Sequence, residues 1–197
     1  MIFFLFVTLA ITLAFFIQEF IPFFEWAYYS RLLLVHTVFY CAAVSVPFPA
    51  MLLLALFTGF IWEARYHLPV FTSLNMGTGP TQAELPFGFS IFIFGLMGSF
   101  IQGVRPLFRR GRWELPVFLI GICTAGGMII EYLMISFHRG GLEVPPELWW
   151  KMLMTALFST LVSPFLLLLF SRLADRVGFK IRMEGITRRY SYDGDTF

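Results

Sequence analysis

Charge is what this sequence has least of. Only 13% of its 197 residues are Asp, Glu, Lys or Arg, while 58% are hydrophobic. A soluble domain carries roughly a quarter charged residues, so a water-facing surface cannot be assembled from this supply. Cysteine is almost as scarce. Cys41 and Cys123 both sit in apolar runs, with no CxxC or Cys/His spacing. That argues against a zinc site and leaves two small buried hydrophobes. The net charge of +2 gives no footprint for nucleic acid. No basic region opens the chain and no A-x-A site precedes Gln18-Glu19. MIFFLFVTLAITLAFFI therefore reads as a retained first helix and not as a cleaved signal peptide.

Catalytic patterns are missing as well. His36, His67 and His138 belong to no HExxH motif, no GxSxG occurs, and no pair of carboxylates recurs at fixed short spacing within an apolar run. The longest polar stretch, Tyr66 to Pro86, contains Asn75-Met-Gly-Thr-Gly-Pro80, a density of Gly and Pro that means turns. A phosphate nest there would need a P-loop or GxGxxG pattern after a strand, and neither is present. The expectation is a protein that is not an enzyme and uses no cofactor or metal.

What the sequence does have is long apolar runs and 26 phenylalanines. Spanning the hydrocarbon takes about 20 apolar residues, fewer where the bilayer thins. Six runs qualify: Ile2–Ile17, Ala27–Val46, Ala50–Ala64, Phe87–Val104, Leu115–Phe137 and Leu148–Leu173. The expected fold is an all-α integral membrane protein, a six-helix transmembrane domain over residues 1–173 followed by a basic tail over 174–197. Pro47 and Pro49 make the turn between the second and third runs very short. That pair either crosses twice or forms a re-entrant hairpin, and the sidedness of the rest is the same in both cases.

Lys and Arg set the orientation. With the N-terminus inside, Arg105, Arg109, Arg110, Arg112, Arg172, Arg176, Lys180, Arg182, Arg188 and Arg189 are cytoplasmic, and only Arg31, Arg65, Arg139 and Lys151 are outside. Both termini are then cytoplasmic, and Trp26, Trp149 and Trp150 lie at the outer interface. The tail mixes its cations with Leu173, Val177, Phe179, Ile181 and Met183. It reads equally as a segment lying on an anionic leaflet and as a snorkelling helix end with a loose extension.

Polar residues inside apolar runs are costly and need a reason. Glu131 follows Gly127 and Cys123 at four-residue steps, so the three share a face. Small residues there let a neighbouring helix approach and turn Glu131 into the bundle. In the oriented topology Gln18, Glu19, Arg31, His36, Glu63, Arg65 and Glu131 all fall in the outer half. Two readings stand: an outward-facing polar pocket or docking site, with ion pairs among Glu63, Arg31, Arg65 and His36, or ordinary interfacial snorkelling.

Three stretches carry a resemblance to a known family. LLLVHTVFYCAAVSVPFPAMLLLALFTGFIWEA is similar to a helix, short turn and helix ending in Gly-x-x-x-Asp, with Gly59 as the glycine and Glu63 in the place of the aspartate. PFGFSIFIFGLMGSF matches a glycine-spaced helix through Gly88, Gly95 and Gly98. ALFSTLVSPFLLLLFSRL matches a small-residue turn and proline before a basic end, through Pro164, although Ser159 stands where asparagine is usual. Covering about half the chain, these stretches resemble MreD, the rod-shape-determining inner-membrane protein of bacteria. The resemblance implies a non-enzymatic scaffold of lateral peptidoglycan synthesis. Its partners would be membrane lipid, MreC, the RodA glycosyltransferase with its penicillin-binding transpeptidase, and cytoplasmic MreB filaments. It also implies a fold similar to the substrate-binding component of energy-coupling-factor transporters. A vitamin-type transporter subunit is accordingly the alternative function.

Overall fold

A computed structural model describes residues 2–67, 87–105, 114–139 and 146–179. The Gly/Pro-rich stretch containing Asn75–Pro80, the arginines at 109, 110 and 112, and the tail from Lys180 onward lie outside the described residues. Among those described, six α-helices account for nearly all regular structure: α1 (Ile2–Phe20), α2 (Leu34–Ser45), α3 (Phe48–His67), α4 (Phe89–Val104), α5 (Glu114–Arg139) and α6 (Pro146–Arg176).

Burial in this bundle is inverted relative to a water-soluble one. Along α1 the buried stripe is Phe3, Val7, Ile11, Ala14, Phe15 and Gln18, while Leu5, Leu9, Leu13, Phe16 and Phe20 are exposed. Along α6 the buried stripe is Met152, Thr155, Ser159, Ser163, Phe170 and Ala174, against exposed Leu153, Leu157, Leu161, Phe165, Leu168 and Leu169. The α6 face that meets protein is more polar than the face that meets the surroundings. Only a surrounding medium as apolar as the exposed side chains makes that arrangement stable. Four helices, α1, α3, α5 and α6, are long and apolar enough to cross a membrane.

The other two helices are short. Helix α2 has 12 residues and α4 has 16, about 18 Å and 24 Å at 1.5 Å per residue, against a hydrocarbon thickness of about 30 Å. Helix α2 is the centre of the bundle: every residue from Val35 to Ser45 is buried, and α2 touches all five other helices. The second apolar run, expected to be helical from Ala27, is helical only from Leu34. Tyr28 and Tyr29 have φ of 55° and 53°, in the left-handed region where an α-helix cannot propagate. A bridge between Phe24 and Ser30 closes that reversal, and Arg31–Leu33 then lead into α2 without regular structure.

The first, third, fifth and sixth runs form helices with longer ends than expected, and the fourth begins two residues later, at Phe89. Val46 and Pro47 alone separate α2 from α3. Helix α6 continues through Arg176, so the first residues assigned to the tail belong to the bundle. Ala174 is buried and the Phe179 ring stacks on Phe3 at 4.6 Å. The two ends of the described chain therefore meet at one end of the bundle, here called the terminal end. Cys41 and Cys123 are free and buried, as expected of small hydrophobes.

Candidate functional site

A short helix buried at membrane depth has a defined problem. Its first N–H groups and last C=O groups lack helical partners, and no water reaches them. Side chains from neighbouring helices meet that need at three places.

At the start of α2, Gln18 of α1 is fully buried. Its Nε2 donates to the Leu32 carbonyl at 2.8 Å, and its Oε1 accepts from the N–H groups of Leu34 at 2.6 Å and Val35 at 3.3 Å. One amide thus serves both the irregular segment before α2 and the helix N-terminus. At the other end of α2, Gln102 of α4 donates from Nε2 to the carbonyls of Ala43 at 2.6 Å and Val46 at 2.8 Å. Arg105 Nη1 donates to the same Val46 carbonyl at 3.1 Å. Replacing Gln18 by leucine makes α1 more apolar yet should lower stability in detergent by about 2–4 kcal/mol, because three backbone groups, one buried and two partly buried, lose their partners. A thermal or denaturant unfolding curve matching the parent would mean that the caps are dispensable.

The third place joins α3 to α4. Glu63 is 1% exposed. Its Oε2 accepts from the Gly88 N–H and its Oε1 from the Ser90 N–H, each at 2.7 Å. The carboxylate therefore lies on the N-terminus of α4, where the unpaired N–H groups and helix dipole favour negative charge. Gly88 has φ of +96°, which L side chains rarely adopt. One turn before Glu63, a Cβ on Gly59 would lie 2.5 Å from the Ile91 Cα, so the α3 and α4 backbones are in contact there. Further along α4, Gly98 packs against Met51 and Phe39. Gly95 faces open space and takes no part in this joint.

The other expected residues separate into distinct arrangements. Arg65 Nε donates to Glu19 Oε1 at 2.6 Å in an exposed ion pair. Arg31 donates to the Gln18 carbonyl and lies over the Phe23 ring at 5.2 Å. His36 sits among aromatic rings, with Trp62 at 4.5 Å and Phe94 at 4.7 Å, and its Nδ1 is buried without a hydrogen-bond partner among the described residues. Glu131 is partly exposed, on the face it shares with buried Cys123 and Gly127. A Cβ on Gly127, on that same face, would lie 3.4 Å from the Tyr40 hydroxyl, which is buried and has no hydrogen-bond partner among the described residues. Ile129 and Trp150 line one groove between α5 and α6, so Glu131 stands at the level of Trp149 and Trp150, the interfacial belt. In α6, Pro164 has no N–H to give the Thr160 carbonyl, and Ser163 Oγ donates to that carbonyl at 2.9 Å instead.

Gln18 figures in the sequence as one of the outer polar residues and Arg105 as one of the orienting cations, neither as a cap, and Gln102 and Tyr40 carry no signal of their own. The usable sign is that Gln18 and Gln102 are the single amide side chains of their helices. A lone polar residue in an apolar run asks for a named partner. Chemically, the assembled site is a set of internal caps that tie neighbouring helices together. Compared with protein families, characterised proteins and solved structures, the chain matches none.

Proposed function

We propose that this chain is a non-catalytic membrane scaffold of MreD type. It sits in the bacterial inner membrane with both termini cytoplasmic, and links MreC, RodA and its transpeptidase to MreB filaments. The observation that carries the reading is the joint of Gly59 and Glu63 with Gly88. The residues through which the chain resembles that family hold two helices together through a backbone contact and a buried cap. That is the use a scaffold has for such residues, because a rigid bundle presents fixed outer faces to partner helices. The similarity to energy-coupling-factor substrate components belongs to the same proposal.

A second reading, the substrate-binding subunit of a vitamin-type transporter, rests on Tyr40 and His36, whose buried polar atoms have no hydrogen-bond partner among the described residues. Affinity purification from native membranes separates the two. Recovery of an MreC-like protein supports the scaffold, and recovery of a transport ATPase pair overturns it. Sidedness is checked with cysteines introduced at positions 111 and 192 in a background lacking Cys41 and Cys123. An impermeant thiol reagent applied to intact cells should label neither, and labelling of either one would reverse the topology.

A further inference from the structure

Helix α6 ends in a Schellman turn. The Phe179 N–H donates to the Ala174 carbonyl at 2.9 Å and the Gly178 N–H to the Asp175 carbonyl at 3.1 Å. These are the paired bonds of that motif, and Gly178 takes the left-handed conformation it requires, with φ of +68°. The turn sets the direction in which the chain leaves the helix. It carries Phe179 across to α1, where its ring stacks on Phe3 with 9° between the planes. Phe179 is thus held by both its backbone and its ring, and the tail that follows starts from a defined point.

That point is the wall of an apolar groove. About 590 Å³ of space lies between the start of α1 and the α2–α3 turn, lined by Phe3, Leu5, Pro47, Ala50, Leu53 and Phe179 among others. Leu5 and Leu53 are exposed in it. Phe3 and Pro47 lie at helix ends, the level at which headgroups and water begin. An open apolar groove there is unfavourable, and apolar side chains that fill it are stabilising. The sequence leaving Phe179 is Lys180-Ile181-Arg182-Met183-Glu184. Charged and apolar residues alternate strictly, the pattern of an extended segment with one apolar face. Phe179, Ile181 and Met183 share that face. At about 3.3 Å per residue, the chain from Phe179 to Met183 covers about 13 Å. The α3 wall of the groove from Pro49 to Leu53 rises by only about 6 Å. The segment is therefore long enough to cross, and its tether at the groove wall gives it a high local concentration there.

We infer that residues 180–183 of this chain's own tail lie extended in the groove, with Ile181 and Met183 against its walls and Lys180 and Arg182 turned outward. An acyl chain or a partner helix would fill apolar space equally well, but neither gives a reason for the alternation that begins at the groove wall. Docked there, the tail joins the end of α6 to the start of α1 and to the turn that follows the central helix. This contact is independent of the scaffold reading and stands whether or not that reading holds.

The test uses the full chain in detergent, carrying Lys180→Cys, Ile181→Cys, Arg182→Cys or Met183→Cys one at a time. Cys41 and Cys123 stay in place, because both are buried and react only if the bundle opens, so they report folding in every variant. Reaction with a water-soluble maleimide should be at least about tenfold slower at 181 and 183 than at 180 and 182, since alternate positions of an extended segment face opposite ways. Leu53→Trp, which fills the groove from an exposed position, should remove that protection. Should Leu53→Trp open the bundle, Ile181→Asp carries the test, read as loss of protection at 183. Three results overturn the inference. The first is equal rates at all four positions. The second is protection that survives Leu53→Trp or Ile181→Asp on a folded bundle, which would make the micelle the cover. The third is protection lost on dilution of the protein, which would make the tail of a second copy the occupant.

Discussion

Gly59→Ala should cost this protein about 1–3 kcal/mol or more, among the larger losses expected from a single substitution. Overpacking of a filled interface typically costs that much, and here the obstacle is backbone. The new Cβ would lie 2.5 Å from the Ile91 Cα and 2.7 Å from its nitrogen, distances that no rotamer change relieves. Helices α3 and α4 must separate, and Glu63, one turn further on, would be drawn off the Gly88 and Ser90 amides. Gly95→Ala is the control on the facing helix. It meets nothing within 4 Å and should be neutral or stabilising by up to about 1 kcal/mol, since alanine is the better helix former. Unfolding temperatures in detergent decide the matter. If the two alanine variants behave alike, the backbone contact at Gly59 is not what holds α3 to α4.

Glu63→Gln should be of comparable severity, about 2–4 kcal/mol. Each hydrogen bond to a charged group contributes about 1.5–3 kcal/mol, and Glu63 accepts two from the first turn of α4. Glutamine keeps one acceptor oxygen but turns an NH₂ donor towards the other N–H, so one buried amide is left facing a donor. The charge that the helix dipole favours is lost as well. Glu63→Asp keeps the charge and should fall between parent and Gln, because the carboxylate withdraws by about one carbon–carbon bond, roughly 1.5 Å. Exposed Glu147 at the start of α6 provides the comparison. Glu147→Gln should change stability by no more than about 0.5 kcal/mol. The order parent, Asp, Gln is the signature of a cap; equal stability of Glu63→Gln and Glu147→Gln would reduce Glu63 to a snorkelling acid. Gly59 and Glu63 act on one joint, so their effects should not add.

Composition and periodicity determine that this chain is helical and suited to a membrane, because a bilayer demands runs of apolar residues and those runs are countable. The number of long runs, the two-residue turn at Pro47 and the inert cysteines all follow from local sequence. Which runs are complete helices does not. Ala27–Leu33 falls within the second run despite Arg31, yet Tyr28 and Tyr29 reverse the chain, and the backbone leading into α2 is held by Gln18, fourteen residues before Leu32. Glu63 was legible as a residue needing a partner, and cations at similar depth were the partners that sequence offers. Tertiary structure supplied backbone amides, which sequence does not display because every residue but proline carries one. The same holds for Gly59 and Gly95. They are identical in sequence, but one touches a neighbouring backbone and the other faces open space, a difference that exists only once two helices have been placed side by side.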